Sequence, residues 1–202
     1  MKMILQNYLN FQYIPVLLII LIHIIALKFV EPINIDSKEY LAISKSIYEK
    51  NEYSVLDLRI KEFKNFSEES PTRMRQPLYP LFLVSTYWSF GGSIYLVLTI
   101  QLFINILSYL FIVKIAQLIF NKDLFIGSFL FVALYFPLWL LSAIIFTETL
   151  FTFLLIMAIY FLTYSIIREN NKYLFLSGLF LGLSFLTRPI GLSLIISFFI
   201  AL

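Results

Sequence analysis

The stretch SIYLVLTIQLFINILSYLFIVKIAQLIF, residues 93–120, decides the fold. It is longer than the roughly 20 apolar residues with which an α-helix crosses a bilayer, and it shows no alternation of period two, so it reads as a spanning helix and not as a barrel strand. Gln101, Asn105 and Gln117 are its polar punctuation. Working towards the C-terminus, Asn121-Lys122-Asp123 makes a tight loop and residues 124–145 form the next span, broken by Pro137 beside Trp139. Thr147-Glu148-Thr149 marks a turn, and residues 150–167 return. Arg168-Glu169-Asn170-Asn171-Lys172 is another short polar loop. Residues 173–186 carry Gly178 and Gly182, a small-x-x-x-small pair expected to let helices approach closely. Thr187-Arg188-Pro189 interrupts the pattern, and residues 190–202 begin one more apolar run in which the sequence stops, so the expectation is a single membrane domain over 1–202, incomplete at its C-terminal end.

Towards the N-terminus, Gly91-Gly92 closes an apolar run, 81–90, that is half a bilayer long and reads as a second interfacial or half-inserted helix. It follows Arg73-Met74-Arg75-Gln76-Pro77-Leu78-Tyr79-Pro80, where two prolines bracket an aromatic turn. Residues 14–30 are the first transmembrane helix; the run has no small-residue cleavage site after it, so it is read as retained and not as a signal peptide. His23 lies mid-span, with a satisfied imidazole favoured over a proton relay because no partner carboxylate is near in sequence, and Lys28 can snorkel to the interface.

Composition agrees. Sixty per cent of the 202 residues are hydrophobic and 13% charged, against about 25% charged in a soluble domain. The chain has no cysteine, hence no disulfide or thiolate metal site, and its net charge of +3 is spread over loops and gives no nucleic-acid signal. The segment 31–80 holds 17 of the 27 charged residues, eight basic and nine acidic. Within it, 36–50 reads as a short amphipathic helix: Asp36 as N-cap with Glu39 completing an Asp-x-x-Glu capping box, and Tyr40, Leu41, Ile43, Ile47 and Tyr48 as an apolar stripe opposite Lys38, Lys45, Glu49 and Glu52. Such a helix should lie flat on the membrane surface. Asn65-Phe66-Ser67 matches a glycosylation sequon.

The fold class expected is therefore all-α, a polytopic transmembrane helical bundle whose first loop, 31–92, carries interfacial helices. Lys2, Lys122, Arg168 and Lys172 fall on one side if the spans alternate, which makes that side cytoplasmic by the positive-inside rule. Asp36, Arg75, Glu148 and Arg188 then share the extracytoplasmic face. Ionisable groups at membrane depth are costly and count as functional candidates. Two guanidinium groups suit a phosphate at headgroup depth, and a carboxylate can take a proton from a hydroxyl acceptor.

In order along the chain stand one helix, an Asp opening an amphipathic Asp-x-x-x-Tyr-x-x-Ile segment, Arg75-Gln76-Pro77-Leu78-Tyr79-Pro80-Leu81-Phe82-Leu83, Thr147-Glu148-Thr149-Leu150-Phe151, and Gly178-x-x-x-Gly182-Leu183-x-x-Leu186-Thr187-Arg188-Pro189. This order resembles the N-terminal part of the GT-C superfamily of membrane glycosyltransferases, and within it the bacterial relatives of protein O-mannosyltransferases and of the lipid A aminoarabinose transferase. The resemblance implies an inverting, plasma-membrane glycosyltransferase that takes a polyprenyl-phosphate sugar and serves a glycan, lipid or protein acceptor, with the first extracytoplasmic loop as the catalytic one. It implies Asp36 as general base and Arg75, Tyr79, Glu148 and Arg188 as substrate- or donor-binding residues: Arg75 and Tyr79 in an Arg-x-Pro-x-Tyr-Pro element shaping the loop, Glu148 as the acidic residue at the outer turn, and Arg188 as the basic residue near the lipid phosphate. The Trp-Trp-Asp element of oligosaccharyltransferases is absent, so a required divalent metal is not implied. A transporter or flippase-like module would show mid-bilayer polar groups in two corresponding halves, which this sequence lacks; an inactive fragment acting as a scaffold is the other alternative.

Overall fold

The first helix, α1 (Ile14–Phe29), has Pro15 in its opening turn, where a missing N–H costs nothing. Its buried residues, Pro15, Ile19, His23 and Ala26, recur every three to four positions and form one stripe, while Leu17, Leu21, Ile24 and Ile25 stay exposed. A helix apolar all round, with only one stripe covered by protein, has its remaining apolar surface available to lipid. The computed structural model describes residues 13–54, 75–120 and 125–190, so the sequon at Asn65 and the loop at Lys122 lie outside the described residues.

After α1 come α2 (Ile35–Lys50), α3 (Leu78–Thr86), a 3-10 turn at Trp88–Phe90, and α4 (Ile94–Phe120). Then follow α5 (Phe125–Leu134), α6 (Phe136–Leu140), a 3-10 turn at Leu141–Ala143, α7 (Thr147–Arg168) and α8 (Asn171–Thr187). No strand occurs among the described residues, and the chain is an all-α helical membrane protein. With 27 and 22 residues, α4 and α7 rise about 40 and 33 Å, enough to cross a hydrocarbon core of about 30 Å. Between α3 and α4 the backbone turns through Gly91 and Gly92, both left-handed with φ of +76° and +79°, a conformation only glycine takes without strain.

The interruption expected at Pro137 is visible as a break between two short helices. Pro137 lies in the first turn of α6 and cannot donate to the preceding turn, so α5 and α6 separate at Tyr135. Trp139, fully buried, bridges the break by donating its Nε1–H to the Val132 carbonyl at 3.1 Å. It packs with Ile19, Tyr109 and Val132 in one of the two apolar cores. His23 Nδ1 sits 2.7 Å from Ser142 Oγ; because that hydroxyl donates to the Trp139 carbonyl at 2.7 Å, the imidazole N–H is the donor. The mid-span histidine is a satisfied core group.

Three expectations are corrected. The α2 capping box exists but is shifted by two residues: Asn34 is the N-cap, accepting from the Ser37 backbone N–H at 2.8 Å, and Ser37 Oγ returns the bond to the Asn34 backbone N–H at 3.1 Å. Asp36 and Glu39 are therefore not capping residues. Thr147-Glu148-Thr149 is not a turn either, but the first turn of α7, with Phe146 as its N-cap. Finally, among the described residues Gly178 and Gly182 mediate no close approach, since outside their own helix backbone no described atom lies within 4 Å of a Cβ built on either. The α7–α8 hairpin closes instead through the Ser177, Leu181, Ser184 stripe, with Ser177 Oγ donating to the Ala158 carbonyl at 2.8 Å.

Candidate active site

Residues 144–146 run extended between the last 3-10 turn and α7, and several side chains clamp them. The Ile145 N–H donates to the Pro32 carbonyl at 2.9 Å. Ser37 Oγ, buried on α2, donates to the Ile145 carbonyl at 2.7 Å. From α4, Gln101 Nε2 donates to the carbonyls of Ser142 at 3.1 Å and Ile144 at 2.6 Å. Gln101 Oε1 in turn accepts from the Tyr79 hydroxyl at 2.7 Å. An extended segment outside any sheet has its backbone groups satisfied in this way by side chains and by backbone elsewhere in the chain.

This clamp brings the first turn of α2, the first turn of α7, the chain leading into α3 and the C-terminal end of α8 around one cavity of about 160 Å³. Its walls are Asp36 and Tyr40 of α2, Arg75 and Gln76, Phe146 and Thr147, and Thr187, Arg188 and Pro189. Two helix N-termini, each with partial positive charge, and two guanidinium groups face this space, set against the negative C-terminal end of α8 and the carboxylates paired with the arginines.

Arg75 is the hub. Its Nη2 donates to Asp36 Oδ1 at 2.7 Å and to Glu39 Oε2 at 2.7 Å, and its Nε donates to Glu39 Oε2 at 2.9 Å. The guanidinium carbon lies 5.0 Å from the centre of the Tyr40 ring, a cation–π contact. The hydrogen bonds to Glu39 hold Arg75 above its ordinary range, so it stays charged. Burial raises the Tyr40 hydroxyl, with Arg75 opposing. The Tyr53 hydroxyl donates to the Arg75 carbonyl at 2.6 Å and is pushed up to about 12, chiefly by burial. On the far wall Arg188 is ion-paired with Glu148 Oε1, and Thr147 Oγ1 donates to Glu148 Oε2 at 3.2 Å.

Of the residues singled out in sequence, Asp36, Arg75 and Arg188 line the cavity. Glu148 sits behind Arg188 as its counter-ion. Tyr79 is fully buried; it does not line the cavity, but stands behind Tyr40, ring centroids 5.2 Å apart and edge-on. Sequence reasoning did not assign Glu39, Tyr40, Gln76, Thr147 and Thr187 to the site. The available signals were simple: Glu39 and Tyr40 fall three and four residues after Asp36, hence on the same helix face, and the other three adjoin Arg75, Glu148 and Arg188 in sequence. No group of three or more His, Cys, Asp or Glu residues placed to hold a metal ion occurs among the described residues.

A family model for dolichyl-phosphate-mannose-protein mannosyltransferase matches residues 75–202, more than half of the chain. No curated protein and no solved structure matches it. The matched segment begins at Arg75, so it includes Arg75, Glu148 and Arg188, while the α2 carboxylates come from the part that precedes it.

Proposed function

We propose, since the chain belongs to the dolichyl-phosphate-mannose-protein mannosyltransferase family and is a membrane glycosyltransferase of mannosyltransferase type, that its cavity moves a sugar from a polyprenyl-phosphate donor to a hydroxyl acceptor outside the cytoplasm. The observation that carries this reading is that one carboxylate, Asp36, and two guanidinium groups, Arg75 and Arg188, line the same small cavity. The phosphate of the donor lies between Arg75 and Arg188, near the first turns of α2 and α7. Asp36 takes the proton of the acceptor hydroxyl as that oxygen attacks the anomeric carbon. The anomeric C–O bond to phosphate breaks on the opposite side, its electron pair leaving on the phosphate oxygen, so one displacement inverts the configuration. The arginines stabilise the charge that gathers on the departing phosphate. Gln76 and Thr147 on the cavity wall bond sugar hydroxyls, Thr147 as acceptor because its own proton goes to Glu148.

Asp36→Asn removes the base without changing side-chain size and is expected to lower transfer by about 10²–10⁴-fold while the helix content by circular dichroism is unchanged. Undiminished transfer refutes the role of Asp36. Arg188→Ala raises the apparent KM for the donor, and an unaltered KM assigns Arg188 to its ion pair with Glu148 alone.

The chain in this reading is a multi-pass plasma-membrane protein, with the cavity outside and the Arg168–Lys172 turn in the cytoplasm. Because these 202 residues contain no cysteine, single cysteines at exposed Glu52 and Asn171 report sidedness: an impermeant thiol reagent on intact cells should label the first and spare the second. The reverse pattern overturns the orientation.

A further inference from the structure

Glu39 stands one turn after Asp36 on α2 and does not line the cavity. Its Oε2 accepts two N–H groups of Arg75, Nε at 2.9 Å and Nη2 at 2.7 Å, whereas Asp36 Oδ1 accepts one, from the same Nη2. The two carboxylates also differ in burial: the Glu39 side chain is 18% exposed and that of Asp36 45%. A doubly bonded, sheltered carboxylate is the firm attachment, and a singly bonded, open one is the attachment that an incoming anion can replace. The Tyr40 ring below the guanidinium and the Tyr53 hydroxyl on the Arg75 carbonyl fix the rest of the residue, so exchange at Nη2 requires no movement of the backbone.

We propose that Glu39 is a positioning residue: it anchors Arg75 from behind the cavity wall, so that Arg75 trades its single bond to Asp36 for an oxygen of the donor phosphate and Asp36 is released as the donor seats. The inference rests on the reading of this cavity as the donor-phosphate site. A phosphodiester oxygen replacing a carboxylate oxygen at Nη2 exchanges one anion for another, and Glu39 keeps the guanidinium neutralised and in plane throughout. Without Glu39, Asp36 is the one carboxylate left on the guanidinium, beside the Tyr40 ring, and phosphate binding would then compete with the one remaining ion pair of Arg75.

The test is direct binding by the full-length protein in lipid nanodiscs, with farnesyl phosphate as probe and farnesol as the phosphate-free control. Glu39→Gln is expected to weaken farnesyl phosphate binding about tenfold, the loss expected for one charge-assisted attachment, and to leave farnesol binding unchanged. Arg75→Ala weakens it at least as much, and adding Glu39→Gln to Arg75→Ala weakens it no further. Unchanged affinity in Glu39→Gln, or the same loss with and without Arg75, overturns the inference. If Glu39→Gln does not fold, Glu39→Asp is read instead: its shorter carboxylate is expected to weaken binding about threefold, and unchanged affinity overturns the proposal. A parent protein that binds farnesyl phosphate no better than farnesol refutes the donor reading itself; a parent that discriminates, with Glu39→Gln discriminating equally, refutes the positioning role alone.

Discussion

Gln101→Leu is the substitution that most directly tests how the cavity wall is held. Gln101 is 1% exposed, and its side-chain amide makes three hydrogen bonds, to the Tyr79 hydroxyl and to the carbonyls of Ser142 and Ile144. Leucine nearly preserves the volume, so packing changes little and the loss is polar. Three groups then lose a partner in a buried place, the Tyr79 hydroxyl keeping its contact with the Phe146 backbone. Hydrogen bonds within membrane helix bundles average about 0.6 kcal/mol, which puts the floor near 2 kcal/mol. Stranding a buried polar group costs about 1–3 kcal/mol, so three would cost more than the floor. The Tyr79 hydroxyl can rotate and each carbonyl has a second lone pair, which moves the expectation to about 2–4 kcal/mol, or a Tm lowered by roughly 4–16 °C for a chain of this size. Thermal unfolding in nanodiscs, followed by tryptophan fluorescence, reads it well because buried Trp139 lies next to this segment and its carbonyl accepts from Ser142. Tyr79→Phe, which removes one of the three bonds, should cost about 1 kcal/mol on the same scale. A Gln101→Leu protein that melts within ~1 °C of the parent would refute the reasoning, since the amide would then not be what holds residues 142–146 in place.

Two further outcomes are expected. Asn34→Ala removes the true N-cap of α2 and should lower stability by about 1 kcal/mol, read as a lower Tm; the same loss from Asp36→Ala with none from Asn34→Ala would restore Asp36 as the cap. Tyr53 ionises near 10 in an unfolded chain but at about 12 in the fold, so the folded state keeps a proton that the unfolded state releases. Its contribution to stability is complete below pH 10 and is lost as the pH rises to 12; Tyr53→Phe should flatten that part of the unfolding-versus-pH curve, and parallel curves would show that Tyr53 is not responsible.

The helices were readable from sequence because lipid imposes length and apolarity on any spanning segment, and both are one-dimensional quantities: residues 93–120 carry them openly, and Pro137 announces the break between α5 and α6. The glycines of α8 misled for a related reason. A small-x-x-x-small spacing states which positions could permit close approach, not which face of the helix turns towards its neighbour. Here Ser177, Leu181 and Ser184 are the buried positions, with Ser177 bonded to the Ala158 carbonyl of α7, and Gly178, one residue further round, is exposed.

The composition of the site was readable in the same one-dimensional way, but its wiring was not, and the difference comes down to where α2 begins. Had Asp36 been the N-cap, its carboxylate would have been directed at the backbone N–H groups of its own first turn, with Glu39 folded back to complete the box. A helix that starts two residues earlier, capped by Asn34 with Ser37, satisfies those N–H groups without either carboxylate. Asp36 and Glu39 then fall on one face, one turn apart, and both reach Arg75, which is 39 and 36 residues further along the chain. No local pattern could show this pairing, because residues 36–39 alone are compatible with both caps and the choice is made by tertiary partners: the Ile145 carbonyl accepting from Ser37 and the guanidinium accepted by the carboxylates. The same shift explains how a site can be supplied with a carboxylate that no backbone amide occupies. Asn34 caps α2, so the Asp36 carboxylate faces the cavity, and Glu39 takes two of the three hydrogen bonds that the carboxylates of α2 receive from Arg75.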